Sequence, residues 1–208
     1  SGALRAYPVE LPSLTPLAGV QPISLQHHFR QALSPDGRTL AAILWPTDSS
    51  AGGKLHFIDV PSWTMTASSV QLDSGVERIE FAPDGSALYW LKPTTFDSAH
   101  GTPRSYALYR YAVATGGLSE ILRLPPSFMP YEHRIFGDRL AIYGVPTSNR
   151  SLAEGPPQLY LVDLARSTVT SVTTLSGIRA GQVERASDPD RWPWLYLRPG
   201  LAWDLPRQ

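Results

Sequence analysis

Cysteine is absent from the 208 residues, which excludes disulfides, thiolate zinc sites and a cysteine nucleophile and fits either redox compartment. Lysine is nearly absent too. Among 18 basic residues only Lys54 and Lys92 are lysine, a skew that points to a GC-rich bacterial genome rather than to binding chemistry. Asp and Glu also total 18, so the formal net charge is zero and no strong field draws in nucleic acid or an anionic membrane. No apolar run is long enough to span a bilayer, and the first residues lack a signal peptide's charged and apolar regions. No direct membrane insertion of this domain is expected, and an anchor elsewhere in a longer chain stays open. No window of helical length keeps an i, i+3, i+4, i+7 apolar stripe free of Pro or Gly, so almost no helix is expected.

What is present is the punctuation of strands and turns. Twenty prolines and sixteen glycines separate short runs rich in Val, Ile, Leu, Tyr, Trp and Thr. These runs repeat. Ala32-Leu33-Ser34-Pro35-Asp36-Gly37-Arg38-Thr39-Leu40 returns 48 residues later as Glu80-Phe81-Ala82-Pro83-Asp84-Gly85-Ser86-Ala87-Leu88. Weaker copies stand at Phe136-Gly137-Asp138-Arg139-Leu140 and Pro189-Asp190-Arg191-Trp192. A second marker keeps step with the first: Leu55 to Val60, Leu108 to Val113, Leu159 to Leu164 and Leu201 to Leu205. Thr/Ser/Ala-rich runs ending at Leu72, Leu124 and Leu175 follow the first three and read as edge strands, where partial exposure tolerates hydroxyls.

Each unit of about 50 residues thus predicts four strands. In the first unit they are Phe29 to Ser34, Thr39 to Trp45, Lys54 to Val60 and Trp63 to Leu72. Pro-Asp-Gly between the first two is a hairpin signal, because Pro presets φ, Asp bonds back to the backbone and Gly takes the left-handed conformation. The middle strands are almost continuously apolar, as when both faces of a sheet are covered. One sheet cannot cover both of its own faces, and stacking sheets radially solves this. The expected fold is therefore all-β: a single-domain β-propeller of four antiparallel four-stranded blades at about 29–72, 76–124, 131–175 and 182–205. The alternative is a four-blade portion of a larger ring.

Leu33-Ser34-Pro35-Asp36-Gly37-Arg38 and Phe81-Ala82-Pro83-Asp84-Gly85-Ser86 resemble the Ser-Pro-Asp-Gly repeats of TolB-type β-propellers, a WD-repeat-like family also found in the propeller domains of prolyl-peptidase-like enzymes. The resemblance is close in the first two units and loose in the others, where Gly137-Asp138 stand in reversed order and no glycine follows Asp190. It implies a propeller, and the motif itself carries no activity. It also implies an extracytoplasmic setting, in the periplasm or at the cell surface.

The fourth unit ends after its third strand at Leu205, and the segment from Tyr7 to Leu17 is expected to supply its outer strand. In such a ring the connections from second to third strand and from blade to blade emerge on one face. The former are expected at Pro46 to Gly53, Pro93 to Ser105 and Pro146 to Pro157. Long loops gathered on one face point to a docking surface, with Phe96, Phe128, Met129, His27 and His28 on it. The bland alternative is drift in loop length.

Arg30, Arg78, Arg134 and Arg185 hold matching positions near the start of each innermost strand, with His133 beside the third. Turned toward the axis they would make an anion-binding ring. Turned between blades they would pair with Glu77, Glu80, Glu132 and Glu184 and hold the ring together, the reading that mutual repulsion of four like charges favours.

His27-His28 is the only close histidine pair, and strand neighbours point to opposite faces, so joint chelation is not expected. The turn aspartates are explained by turn chemistry. No Gly-x-Ser-x-Gly elbow and no phosphate-cradling glycine loop occurs. The expectation is a non-catalytic protein-interaction or sensory domain with no cofactor and no metal, binding a protein or peptide, outside the bacterial cytoplasm. Two alternatives remain open: a small-ligand or anion-binding propeller using its central channel, and an accessory propeller of a hydrolase.

Overall fold

The computed structural model describes residues 4–6, 9–10, 15–16, 23–25, 29–44, 52–72, 76, 78–96, 103–126, 128–146 and 156–175, and every regular element among them is a strand. Strands β1 (Leu4–Ala6), β2 (Val9–Glu10), β3 (Thr15–Pro16) and β4 (Ile23–Leu25) come first. Blade 1 is β5 (Phe29–Leu33), β6 (Thr39–Leu44), β7 (Gly53–Asp59) and β8 (Thr64–Leu72). Blade 2 is β9 (Ile79–Phe81), β10 (Ala87–Phe96), β11 (Pro103–Ala112) and β12 (Gly117–Arg123). Blade 3 is β13 (Phe128–Phe136), β14 (Arg139–Pro146), β15 (Gln158–Asp163) and β16 (Thr168–Thr174). Each blade is an antiparallel meander. The innermost strands β5, β9 and β13 lie next to one another, the radial arrangement that the repeat implied.

Two apolar cores hold the blades together, and period-2 alternation in the middle strands divides blade 2 between them. Leu88, Trp90 and Tyr111 meet Ala41, Ile43, Leu55 and Leu72 of blade 1. Tyr89, Leu91 and Leu108 meet Leu140, Ile142, Tyr160 and Val162 of blade 3. The continuous apolar runs are thus explained, since both faces of blade 2 are buried.

The Pro-Asp-Gly turns behave as their chemistry requires. Gly37 and Gly85 have φ of 72° and 73°, and their N–H groups donate to the Ser34 and Ala82 carbonyls at 2.9 Å. Asp36 accepts from the Arg38 N–H at 3.0 Å and the Ser34 hydroxyl at 2.6 Å. Asp84 accepts from the Ser86 N–H at 3.0 Å. In blade 3 the reversed Gly137-Asp138 makes a different turn. Phe136 pairs directly with Arg139 and only Gly137 has positive φ, at 58°, the two-residue type II′ hairpin. Replacing Gly85 with alanine is expected to cost about 1 kcal/mol in chemical denaturation. The penalty is conformational, because an added Cβ meets nothing nearer than Pro35 Cδ at 3.9 Å.

The turns from third to fourth strand are also of one design. Trp63, Gly116 and Ser167 share positive φ at 51°, 70° and 54°. Asp59 and Asp163 accept backbone bonds from Ser62 and Arg166, both at 2.8 Å. The following residues Val60, Val113 and Leu164 donate back to Arg38, Ser86 and Asp138 at 2.8, 3.0 and 2.9 Å. Both turn types therefore stand at the same end of every described blade.

Three expectations need correction. The segment from Tyr7 to Leu17 is not one strand: β2 pairs with β3 and β1 with β4, so the N-terminal stretch folds back as a hairpin. Pro93 to Ser105 is mostly hairpin rather than loop, since Pro93 pairs with Tyr106, Thr95 with Ser105 and Phe96 with Pro103 across two register shifts. Blade 3 begins at Phe128 rather than at 131. The fourth unit, 182–205, lies outside the described residues.

Candidate functional site

The repeated arginines of blades 2 and 3 meet carboxylates across the seam between these blades. Arg78 pairs with Glu132. Arg134 lies 3.6 Å from Glu132 and 3.9 Å from Glu80. The result is an alternating chain, Arg78, Glu132, Arg134, Glu80, that crosses between the inner edges of the two blades. Backbone bonds reinforce it. The Ile135 N–H donates to the Glu80 carboxylate, and the His133 imidazole donates to the Tyr89 carbonyl. Arg30 is exposed on β5 opposite Ile43. Glu77, Glu184 and Arg185 lie outside the described residues, as do His27 and His28.

Burial sets the charge state of the seam. Desolvation pushes the Glu80 carboxyl up to about 7, outweighing the Ile135 N–H bond that lowers it, and Oε2 is buried without a partner. Desolvation holds the His133 imidazole down at about 4. Folded Glu80 keeps its proton to about pH 7 while the unfolded chain releases it near pH 4.5, so this group lowers stability as pH rises through that window. Folded His133 stays neutral to about pH 4 while the unfolded chain protonates near 6.5, so stability falls as pH drops between these values. His133→Gln is expected to remove about 2–3 kcal/mol of acid-side loss. Glu80→Gln is expected to flatten the opposite slope by about 1–2 kcal/mol, after discounting for solvent screening. Denaturant titrations at pH 4.5, 6 and 8 read both.

Away from the turns the second and third strands end at Leu44 and Gly53, Phe96 and Pro103, and Pro146 and Gln158, and most residues between them (45–51, 97–102 and 147–155) lie outside the described residues. Phe96 closes β10 there, and its side chain lies outside the description. Phe128 is not an exposed anchor: it is 3% exposed, with its ring 4.5 Å from that of Tyr160. Apolar burial draws it into the core between blades 2 and 3, where the absence of a Cβ at Gly144 leaves room for its ring. Met129 beside it is half-buried opposite Val145. His133 is likewise buried at 3% exposure, on the innermost strand β13 beside Arg134, where the repeat spacing places it. Sequence reasoning missed Tyr89, whose carbonyl anchors His133, and Gly144, an isolated glycine inside an apolar strand pattern, which signals close backbone approach. Among the described residues no group of three or more His, Asp or Glu converges as metal ligands. No helix among them is long and apolar enough to cross a membrane.

No protein-family model matches the chain, and no curated protein matches it in sequence. Solved structures do match in fold. TolB from Acinetobacter baumannii superposes with a TM-score of 0.55 at 15% identity, over 82% of this chain and 37% of that one. Hydrazine synthase from Kuenenia stuttgartiensis gives 0.57 at 12%, over 80% and 42%. The β-propeller domain of the Trilobed protease from Pyrococcus furiosus gives 0.50 at 10%, over 72% and 42%. The fold is that of TolB-type and other β-propellers, and this chain spans less than half the length of these three.

Proposed function

We propose that this chain is a non-catalytic propeller that docks a protein or peptide through the end of the blades bearing residues 45–52, 97–102 and 147–157. The carrying observation is the asymmetry between the two ends. At one end, third-to-fourth-strand turns of a single design recur, with Asp59 and Asp163 engaged by their own backbones. At the other, connection length and composition vary from blade to blade while the scaffold beneath stays constant, the pattern of a binding face on a rigid support. The channel-anion alternative is weakened because Arg78 and Arg134 already hold carboxylates. A propeller domain of a protease among the fold neighbours keeps an accessory role beside a hydrolase as the second reading. An extracytoplasmic setting rests on the likeness of the repeats to TolB-type propellers.

Ring closure by residues 182–205 belongs to the same proposal. Ala42, Leu44 and Ile58 on blade 1 and Ala141 and Val145 on blade 3 are buried, yet they belong to neither of the two cores. A fourth blade between these faces, with the N-terminal hairpin beside it, accounts for their cover.

Photo-crosslinkers placed on the two ends test the docking face in cells. The expected result is a partner captured from 97–102 and 147–155 and lost at least tenfold in Phe96→Ser, with Thr115→Ala and Arg166→Ser without effect. Capture through the turn end alone, indifferent to Phe96, contradicts the reading.

A further inference from the structure

Strand side chains alternate between faces, so Arg78 and Glu80 share one face at the inner edge of blade 2, and Glu132 and Arg134 share one face of β13. The two arginines of this chain are held differently. Arg78 donates to Glu132 Oε1. Arg134 is divided between two carboxylates: its Nε lies 3.6 Å from that same Glu132 oxygen, and its Nη1 lies 3.9 Å from Glu80 Oε1. Neither distance is a hydrogen bond. Glu80 is incomplete in turn, since its carboxyl accepts from the Ile135 N–H while Oε2 is buried without a partner. The other groups around it have their own places. Tyr89 of β10 pairs with Glu80 in the ladder. Arg30, on the strand β5 that packs against β9, is exposed. His133 leaves the opposite face of β13 and donates to the Tyr89 carbonyl.

We propose that a proton on Glu80 decides which carboxylate holds Arg134: protonated Glu80 leaves the guanidinium with Glu132 on its own strand, and ionised Glu80 draws it across the seam to join blade 3 to blade 2. An approach of about 1 Å brings Nη1 within the range of a charge-assisted bond to Glu80. Charge balance favours the move. With Glu80 neutral, Arg78 and Arg134 face the single negative charge of Glu132, and with Glu80 ionised the four groups neutralise one another. The two partners differ in what they connect. Glu132 and Arg134 are two residues apart on β13, so their contact adds nothing between blades, whereas the contact with Glu80 links β13 to β9. The proton therefore sets whether the Arg78–Glu132 pair crosses this seam alone or beside a second pair. The Glu80 carboxyl titrates at about 7 because burial disfavours its charge, which puts the exchange near neutral pH. Attraction to Arg134 offsets part of that burial cost without cancelling it, so stability still falls as Glu80 ionises. The inference is independent of the docking reading.

NMR of the carbon-13 and nitrogen-15 labelled full chain between pH 5.5 and 8.5 tests it. The Glu80 carboxyl carbon and the Arg134 side-chain nitrogens are expected to shift together with one midpoint, and Glu80→Gln is expected to leave the Arg134 signals flat. Arg134→Met is expected to raise the Glu80 midpoint by about 1 pH unit, the loss of a nearby opposite charge. Glu132→Gln is expected to lower it, because it frees Arg134 for Glu80, and Arg30→Met is expected to leave it in place. An Arg134 signal that does not follow Glu80, a Glu80 carboxyl ionised throughout this range, or a midpoint indifferent to both Arg134→Met and Glu132→Gln overturns the proposal. The wild-type titration stands whether or not the variants fold.

Discussion

Trp90→Ala is expected to lose about 3–5 kcal/mol of folding stability, the range for truncating a buried large aromatic. Trp90 is 0% exposed in the core shared by blades 1 and 2, paired with Ile79 on one side and Tyr109 on the other. Its ring lies 6.4 Å from that of Tyr109 and nearly parallel to it. Against a typical total of about 5–15 kcal/mol, such a loss brings the chain close to unfolding at ambient temperature. Trp90→Phe is expected to cost much less, because the indole N–H is buried without a partner and removing it relieves that penalty. Leu118→Ala, at a position 44% exposed, is the control and should stay within about 0.5 kcal/mol. Urea unfolding of the three variants measures the ordering. A Trp90→Ala loss no greater than that of Leu118→Ala would remove Trp90 from the shared core.

Gly144→Ala comes second, at about 3 kcal/mol or somewhat more. A Cβ there would sit against the Met129 carbonyl oxygen, 2.5 Å from Phe128 Cζ and 2.9 Å from Pro130 Cα. Two of the three are backbone atoms of the paired strand β13, which cannot step aside without breaking its pairing with β14. Overpacking of this kind typically costs about 1–3 kcal/mol, and the loss of ladder bonds adds to it. Shrinking the ring with Phe128→Leu is expected not to rescue Gly144→Ala, since the backbone clashes remain. Full rescue in thermal unfolding of the double variant would place the clash in the side chain and contradict the close approach of the strands.

The seam explains why some of this was legible beforehand and some was not. Repeat register located blade 1 to within a residue or so: β5 to β8 run 29–33, 39–44, 53–59 and 64–72 where the pattern placed 29–34, 39–45, 54–60 and 63–72. Turn chemistry and apolar alternation are local, so one sequence reports them. Proline misled. Pro93 and Pro130 read as loop but lie in strands next to register shifts, and Pro103 and Pro146 lie at strand ends, where a missing N–H is tolerated. Phe128 reads as loop for the same reason, since Pro126 and Pro130 bracket it. The pairing of Arg78 with Glu132, and the burial of His133, depend on how two blades meet. Residue spacing offered both an axial ring and an interblade pairing, and the packing of β9 against β13 brings Arg78, Glu80, Glu132 and Arg134 together across the seam.

A crystal structure of the complete chain tests most directly whether sheets shield one another around a ring. The account predicts residues 182–205 as a sheet seated on Ala42, Leu44 and Ile58 at one side and on Ala141 and Val145 at the other. The same residues packed elsewhere, with those two faces covered by anything but a fourth sheet, would contradict it.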